Sequence, residues 1–138
     1  MAGDLYLADD PELLAANQRA MRLATAYNAV SAENGSERDR ILDELLGARG
    51  PGTEIRPPFF CDYGSHIRIG ARTFANFGLL ALDVAAITIG DDVQIGPNVQ
   101  LLTPTHPIDA ELRRAKWEAA EPITIGDNVW LGGGTIVL

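Results

Sequence analysis

Lysine, cysteine and histidine are nearly absent from this chain of 138 residues, and each shortage excludes something. Lys116 is the single lysine beside ten arginines, and the net charge is −8, so there is no basic footprint for nucleic acid or an anionic membrane surface. A neutral substrate suits this balance better than a polyanion. One cysteine, Cys61, cannot close an intrachain disulfide, which agrees with a reducing compartment and reads as a small buried hydrophobe. Apolar runs fall far short of the ~18 residues that span a bilayer, and Met1-Ala2-Gly3-Asp4 is polar and acidic where a signal peptide is basic and then apolar. The expected location is cytoplasmic. His66 and His106 are the only histidines; His66 has no motif around it and reads as a surface residue.

What is present is the make-up of one soluble domain, 46% hydrophobic, with a mean hydropathy near zero. Residues 1–50 read as a helical segment. Asp10 caps and Pro11 opens a first helix whose buried face is Leu13, Ala16, Ala20, Leu23, Ala24 and Tyr27, recurring at three-and-four spacing. Ser36-x-x-Asp39 resembles a capping box for a second, with Ile41, Leu42, Leu45 and Leu46 as its stripe and Gly47 as its stop. A Gly- and Pro-rich stretch from Gly50 to Pro58 links these helices to the rest.

From Ile67 the texture changes. The phrase Ile-x-Ile-Gly occurs at Ile67–Gly70, Ile87–Gly90 and Ile123–Gly126, at separations of 20 and 36 residues, which are multiples of eighteen with one slip of two. Ile89, Ile95 and Leu101 lead three hexads, and Ile125, Leu131 and Val137 lead three more in phase. Small or β-branched Val93, Val99, Thr105, Val129 and Thr135 stand four places after a leader, and Gly90, Gly96, Gly126 and Gly132 follow one directly. An inward aliphatic on each short strand, with glycine easing the corner, makes a triangular coil, and stacked coils make a parallel β-helix over residues 51–138. Residues 103–121 lack the hexad pattern and read as a loop extruded from the solenoid, a usual place for function.

The residues Ala2-Gly3-Asp4-Leu5-Tyr6, Phe60-Cys61-Asp62-Tyr63-Gly64, Phe74-Ala75-Asn76-Phe77, Leu82-Asp83-Val84, Thr105-His106-Pro107-Ile108-Asp109 and Pro122 to Trp130 are similar, in order and spacing, to motifs of the hexapeptide-repeat sugar O-acetyltransferases of the maltose and galactoside group. The resemblance implies a mainly β fold, a left-handed parallel β-helix, and a homotrimer with active sites between neighbouring subunits. It implies transfer of acetyl from acetyl-CoA to a hydroxyl of a sugar acceptor by direct attack, with no metal. Residue by residue it makes His106 the catalytic base, and a neutral imidazole, of ordinary pKa about 6.5, suits removal of a hydroxyl proton. It places Asn76 and Asp83, and less strongly Asp62, on the acceptor sugar, although Asn and Asp at such positions also cap turns. Trp130 falls either beside the coenzyme A arm or at a subunit contact, and Glu118 matches a loop carboxylate able to orient His106.

Relatives continue for several more hexads, so the resemblance also makes the chain ending at Leu138 a truncated form. The rival reading is then a catalytically inactive trimerisation module. Zinc-dependent carbonic anhydrases built on the same helix need three histidines, one more than this sequence has.

Overall fold

The computed structural model describes residues 5–7 and 10–138. The Ala2-Gly3-Asp4 part of the first motif lies outside them. After a short strand β1 (Tyr6–Leu7) comes α1 (Pro11–Ala29), then α2 (Gly35–Leu45). Asp10 caps α1 by accepting from the Glu12 N–H, with Pro11 in the first turn as expected. The buried stripe is narrower than its periodicity suggests: Ala20, Ala24 and Tyr27 are buried, Leu13 and Leu23 partly, and Ala16 faces out. At α2 the cap is Asn34, whose side chain accepts from the Glu37 N–H, and not Ser36, which lies inside the first turn. Asn-x-x-Glu occupies the frame two residues ahead of the Ser-x-x-Asp read from the sequence.

Four coils follow. The first comprises β2 (Ala48–Arg49), β3 (Glu54–Ile55) and β4 (Phe59–Cys61), and the second β5 (Ile67–Ile69), β6 (Phe74–Ala75) and β7 (Leu79–Leu82). The third comprises β8 (Ile87–Ile89), β9 (Gln94–Ile95) and β10 (Gln100–Leu102). An excursion of β11 (Pro104–Thr105), α3 (Ala110–Arg114) and β12 (Trp117–Ala120) intervenes before the fourth, β13 (Ile123–Ile125), β14 (Trp130–Leu131) and β15 (Ile136–Val137). Corresponding strands pair in parallel into three four-stranded sheets, β2-β5-β8-β13, β3-β6-β9-β14 and β4-β7-β10-β15. The Gly50–Pro58 stretch is thus no linker; it carries the corners and strands of the first coil.

The predicted register holds pair by pair: Ile125 lies beside Ile89, Leu131 beside Ile95 and Val137 beside Leu101. Inside the prism these residues form columns, such as Ile67-Ile87-Ile123 and Ile55-Ala75-Ile95-Leu131. Ile67, Ile87, Leu79 and Leu101 are wholly buried, each a burial of about 1.5–3 kcal/mol. Thr105 departs from the pattern, lying exposed on the excursion, while Thr103 is the buried residue, its hydroxyl donating to Leu82 O at 2.7 Å.

The edge of β4 is met by α1. Asn28 donates from its amide to Phe59 O at 3.0 Å and accepts from Phe59 N at 2.8 Å, giving that residue both bonds a further strand would supply. Tyr27 alongside donates its hydroxyl to Ile55 O. Among the described residues, no helix is long and apolar enough to cross a membrane.

The hexad glycines do a different job from the expected one. Left-handed backbone at the corners falls instead two residues later, on Gly52, Arg72 (φ 56°), Asp92 (φ 56°) and Asn128 (φ 56°). Gly90 is required by proximity: a Cβ there would lie 2.2 Å from Asp127 Oδ1 and 2.8 Å from Asp127 N on the next coil. Gly90→Ala is therefore expected to cost about 1–3 kcal/mol through forced separation of coils. Gly35→Ala, at a helical position where nothing lies within 4 Å of an added Cβ, is expected to stay within about 1 kcal/mol of the parent. Urea unfolding of the two variants decides this, and equal losses would refute the coil-contact account.

Candidate functional site

Every departure from the hexad falls at one corner of the prism. Successive inward leaders are six apart across two corners of a coil, but eight apart from Cys61 to Ile69 and from Ala81 to Ile89, and 24 apart from Leu101 to Ile125. The two-residue slips are residues 62–66 and 83–86 widening that corner, and the excursion is the same corner opened fully.

Asp83 organises it. The residue is completely buried, and Oδ1 accepts from the N–H groups of Asp62 (3.1 Å) and Tyr63 (2.8 Å) while Oδ2 accepts from that of His66 (3.2 Å). The Asp83 carboxylate thus shapes the coil below, facing backbone and not open space. His66 is no free surface residue either. Its Nδ1 lies 2.7 Å from Asp83 O, and because a carbonyl only accepts, Nδ1 carries the proton. Its ring packs 5.4 Å from that of Tyr63.

The excursion is an antiparallel pair, Pro104 opposite Ala120 and Thr105 opposite Ala119, and β1 adds to its outer edge with Tyr6 opposite Glu118. Ala120 is buried with Tyr63, Val84 and Ala85 in a small apolar cluster that seats the pair. His106 follows β11 directly. The turn after it is held by Asp109, which accepts from the N–H groups of Glu111 and Leu112 at 2.9 Å, and by Arg113, which donates to Pro107 O (3.0 Å) and Ile108 O (2.9 Å). The His106 side chain is 58% exposed, with Nδ1 3.9 Å from Glu118 Oε1. Glu118 Oε2 in turn accepts from the Tyr6 hydroxyl at 2.9 Å.

These groups line a cavity of about 300 Å³ floored by Asp62, Tyr63 and Val84 and walled by Leu13, Leu14 and Asn17 of α1. Asn17 donates to Asp62 O at 2.9 Å. Burial first, then the neighbouring carboxylates of Asp83 and Glu118, push Asp62 up to about 6. Near pH 6 the carboxyl exchanges between a protonated form that can donate and a carboxylate that only accepts, and at neutral pH the carboxylate predominates. Burial and the bond to Glu118 likewise hold the Tyr6 hydroxyl protonated well above its ordinary range. Burial, followed by the charges of Asp83 and Asp62, does the same to the Cys61 thiol, an inert hydrophobe as read. A larger cavity, about 730 Å³, lies between α2 and the first coil, away from this corner; there Arg49 is engaged by Asp39, Asp43 and Thr53 O.

The structure therefore brings together His106, Asp62 and Glu118, with Asp83 beneath them. Asn76 and Trp130 lie elsewhere in the chain. Asn76 sits at the corner after β6, its Oδ1 accepting from Phe77 N at 2.9 Å, and Trp130 is 79% exposed on β14. Sequence reasoning missed Tyr6 and Asn17 as members of the site. A polar Asn17 on the Leu13–Ala20–Ala24 stripe was the available signal, since a partly buried amide on an apolar face needs a partner.

Because the folded state raises the pKa of Asp62, the unfolded carboxyl ionises first. Stability is lost as pH rises from the ordinary carboxyl value to about 6, and no further above it. Asp62→Asn is expected to raise the thermal midpoint at pH 8 and to leave it unchanged at pH 4. A calorimetric scan showing the same shift at both pH values would contradict this.

Comparison with known proteins agrees with this architecture. Residues 1–50 match the maltose acetyltransferase hexapeptide capping motif. The chain is 46% identical over 138 residues to nodulation protein L of Rhizobium meliloti (strain 1021), covering all of this chain and 75% of that protein. The crystal structure of a maltose O-acetyltransferase from Clostridium difficile 630 superposes with a TM-score of 0.96 at 40% identity, covering 97% of this chain and 72% of that one. A hexapeptide-repeat containing acetyltransferase from Vibrio cholerae O1 biovar eltor, complexed with acetyl coenzyme A, gives 0.90 at 39% identity, covering 97% and 72%. The solenoid is accordingly a left-handed parallel β-helix. With its capping helices, hexad columns and His106 corner, the chain belongs to the hexapeptide-repeat sugar O-acetyltransferase family.

Proposed function

We propose that this chain transfers acetyl from acetyl-CoA to a hydroxyl of a maltose-, glucose- or galactoside-like sugar, with His106 as general base. The observation that carries the reading is His106 at the mouth of the cavity, on a turn fixed by Asp109 and Arg113, with Glu118 behind Nδ1. A carboxylate 3.9 Å from Nδ1 favours the tautomer with its proton there, which leaves Nε2 as the basic atom. The sugar oxygen attacks the thioester carbonyl carbon while Nε2 takes the hydroxyl proton. The tetrahedral adduct then collapses, the carbon–sulfur bond breaks, and the imidazolium returns the proton to the departing thiolate. No acyl-enzyme forms. Asp62, mostly ionised at neutral pH, offers a sugar hydroxyl an acceptor, and Asp83 serves by holding the backbone that carries Asp62. A cytoplasmic location suits this co-substrate.

His106→Ala is expected to lower turnover by roughly 10²–10⁴ with the fold retained, the factor general base catalysis supplies. Thiol release from acetyl-CoA with a panel of sugars measures this and ranks the acceptors. Undiminished turnover would take His106 out of the mechanism.

Assembly as a cyclic homotrimer is part of the same reading. The outward row on β4-β7-β10-β15 is Phe60, Leu80, Gln100 and Ile136, apolar but for Gln100, with Leu82 and Leu102 beside it, whereas the outward row of β5-β8-β13 is Arg68, Thr88 and Thr124. Phe60 and Ile136 are about half exposed in the single chain, and such an apolar face supports burial against another copy. In a trimer, Asn76 of one chain completes the sugar site at the His106 corner of the next, and Trp130 faces the coenzyme arm. Light scattering is expected to give three times the chain mass of 14.8 kDa, and a stable monomer at micromolar concentration would overturn the trimer.

A further inference from the structure

We propose that Tyr6 is a positioning residue for catalysis, fixing Glu118 so that Glu118 holds the His106 ring with its proton on Nδ1 and its free electron pair on Nε2. The inference rests on His106 being the base. Its geometric basis is a relay from β1 through β12 to the residue after β11: the Tyr6 hydroxyl 2.9 Å from Glu118 Oε2, and Glu118 Oε1 3.9 Å from His106 Nδ1. Glu118 is three-quarters buried, and Tyr6 is the only side chain that hydrogen-bonds its carboxylate among the described residues. Without that bond the carboxylate has a wide choice of rotamers, and most of them turn away from the ring. A free neutral imidazole divides its proton between two nitrogens, so a base acting through Nε2 loses whatever fraction sits in the wrong tautomer.

The groups facing the relay from the coil and from α1 are acidic or neutral. Asp62 and Tyr63 face Tyr6 from the coil, Asp83 lies beneath Asp62, and Asn17 approaches from α1. Among the described residues, His106 is the only ion-pair partner of Glu118. The aligned β1 and β12 strands, Tyr6 opposite Glu118 and Leu7 opposite Trp117, bring the hydroxyl to the carboxylate, so the N-terminal strand takes part in the site as well as in the fold.

The test is a double-mutant cycle on the assembled protein, with Tyr6→Phe, Glu118→Gln and both together. Tyr6→Phe keeps the ring and the strand and removes one oxygen. It is expected to lower kcat on the order of ten-fold, short of the hundred-fold that misplacing a reacting group can cost, with KM for acetyl-CoA unchanged. In the Glu118→Gln background the same change is expected to cost almost nothing, because residues acting through one another are not additive. A second readout needs no turnover. With only two histidines in the chain, ¹⁵N chemical shifts of the rings, assigned with His106→Ala, report the tautomer directly. Both single variants are expected to shift His106 from Nδ1–H toward Nε2–H by the same amount. Additive losses in kcat, or an unchanged tautomer balance in Tyr6→Phe, would overturn the inference. If His106→Ala stops turnover while Tyr6→Phe does not slow it, this inference alone fails. Full turnover in His106→Ala removes the base reading with it.

Discussion

Adjacent strands of a parallel sheet lie about 4.8 Å apart, and in this molecule that spacing is imposed on corners as well as on strands. Coils can stack at it only if the corner of one passes close to the backbone of the next, and it does so at Gly47, Gly50, Gly70, Gly90 and Gly96, each with backbone of the adjoining coil within 3 Å of a notional Cβ. The aliphatic columns, the threonine bonds between coils and the carboxylates that bridge successive corners, such as Asp127 to Asp91 N and Asp91 to Ala71 N, all presuppose this contact. Any widening at one glycine is transmitted along three sheets together.

Regularity of that kind is what a sequence displays well. Hexad leaders announce which residues point inward because a solenoid repeats one local environment many times, and the register follows from setting Ile89, Ile95 and Leu101 against Ile125, Leu131 and Val137. Less legible were features produced by relations between coils. Glycine reads as a turn residue because a single chain segment shows only its own backbone, while the reason for Gly90 is an atom of Asp127. The cap of α2 was misjudged because Asn34 and Ser36 offer similar chemistry two residues apart, and the turn before the helix decides between them.

The site shows the same division. His106 and the excursion stand out as a break in periodicity, and Asp62 and Asp83 as carboxylates beside it. Their unequal roles come from burial, since one lies on the cavity wall and the other is closed in beneath backbone N–H groups. Tyr6 is 112 residues from Glu118, and no spacing rule links a strand at the start of the chain to a loop near its end. The two-residue slip in the repeat was nonetheless the clue to where these parts meet, because both slips and the excursion open the same corner.

Asn28 has a consequence of another kind. A parallel solenoid is in principle a polymer with coils for monomers, and an uncovered strand edge is a template on which a second molecule can grow. By offering Phe59 one acceptor and one donor, the amide of Asn28 imitates a peptide group and occupies the growing position without extending it. In the vocabulary of polymer chemistry it is an end-group. Loss of that amide leaves a reactive terminus at β4, an open edge of the kind on which edge-to-edge growth of a second molecule begins.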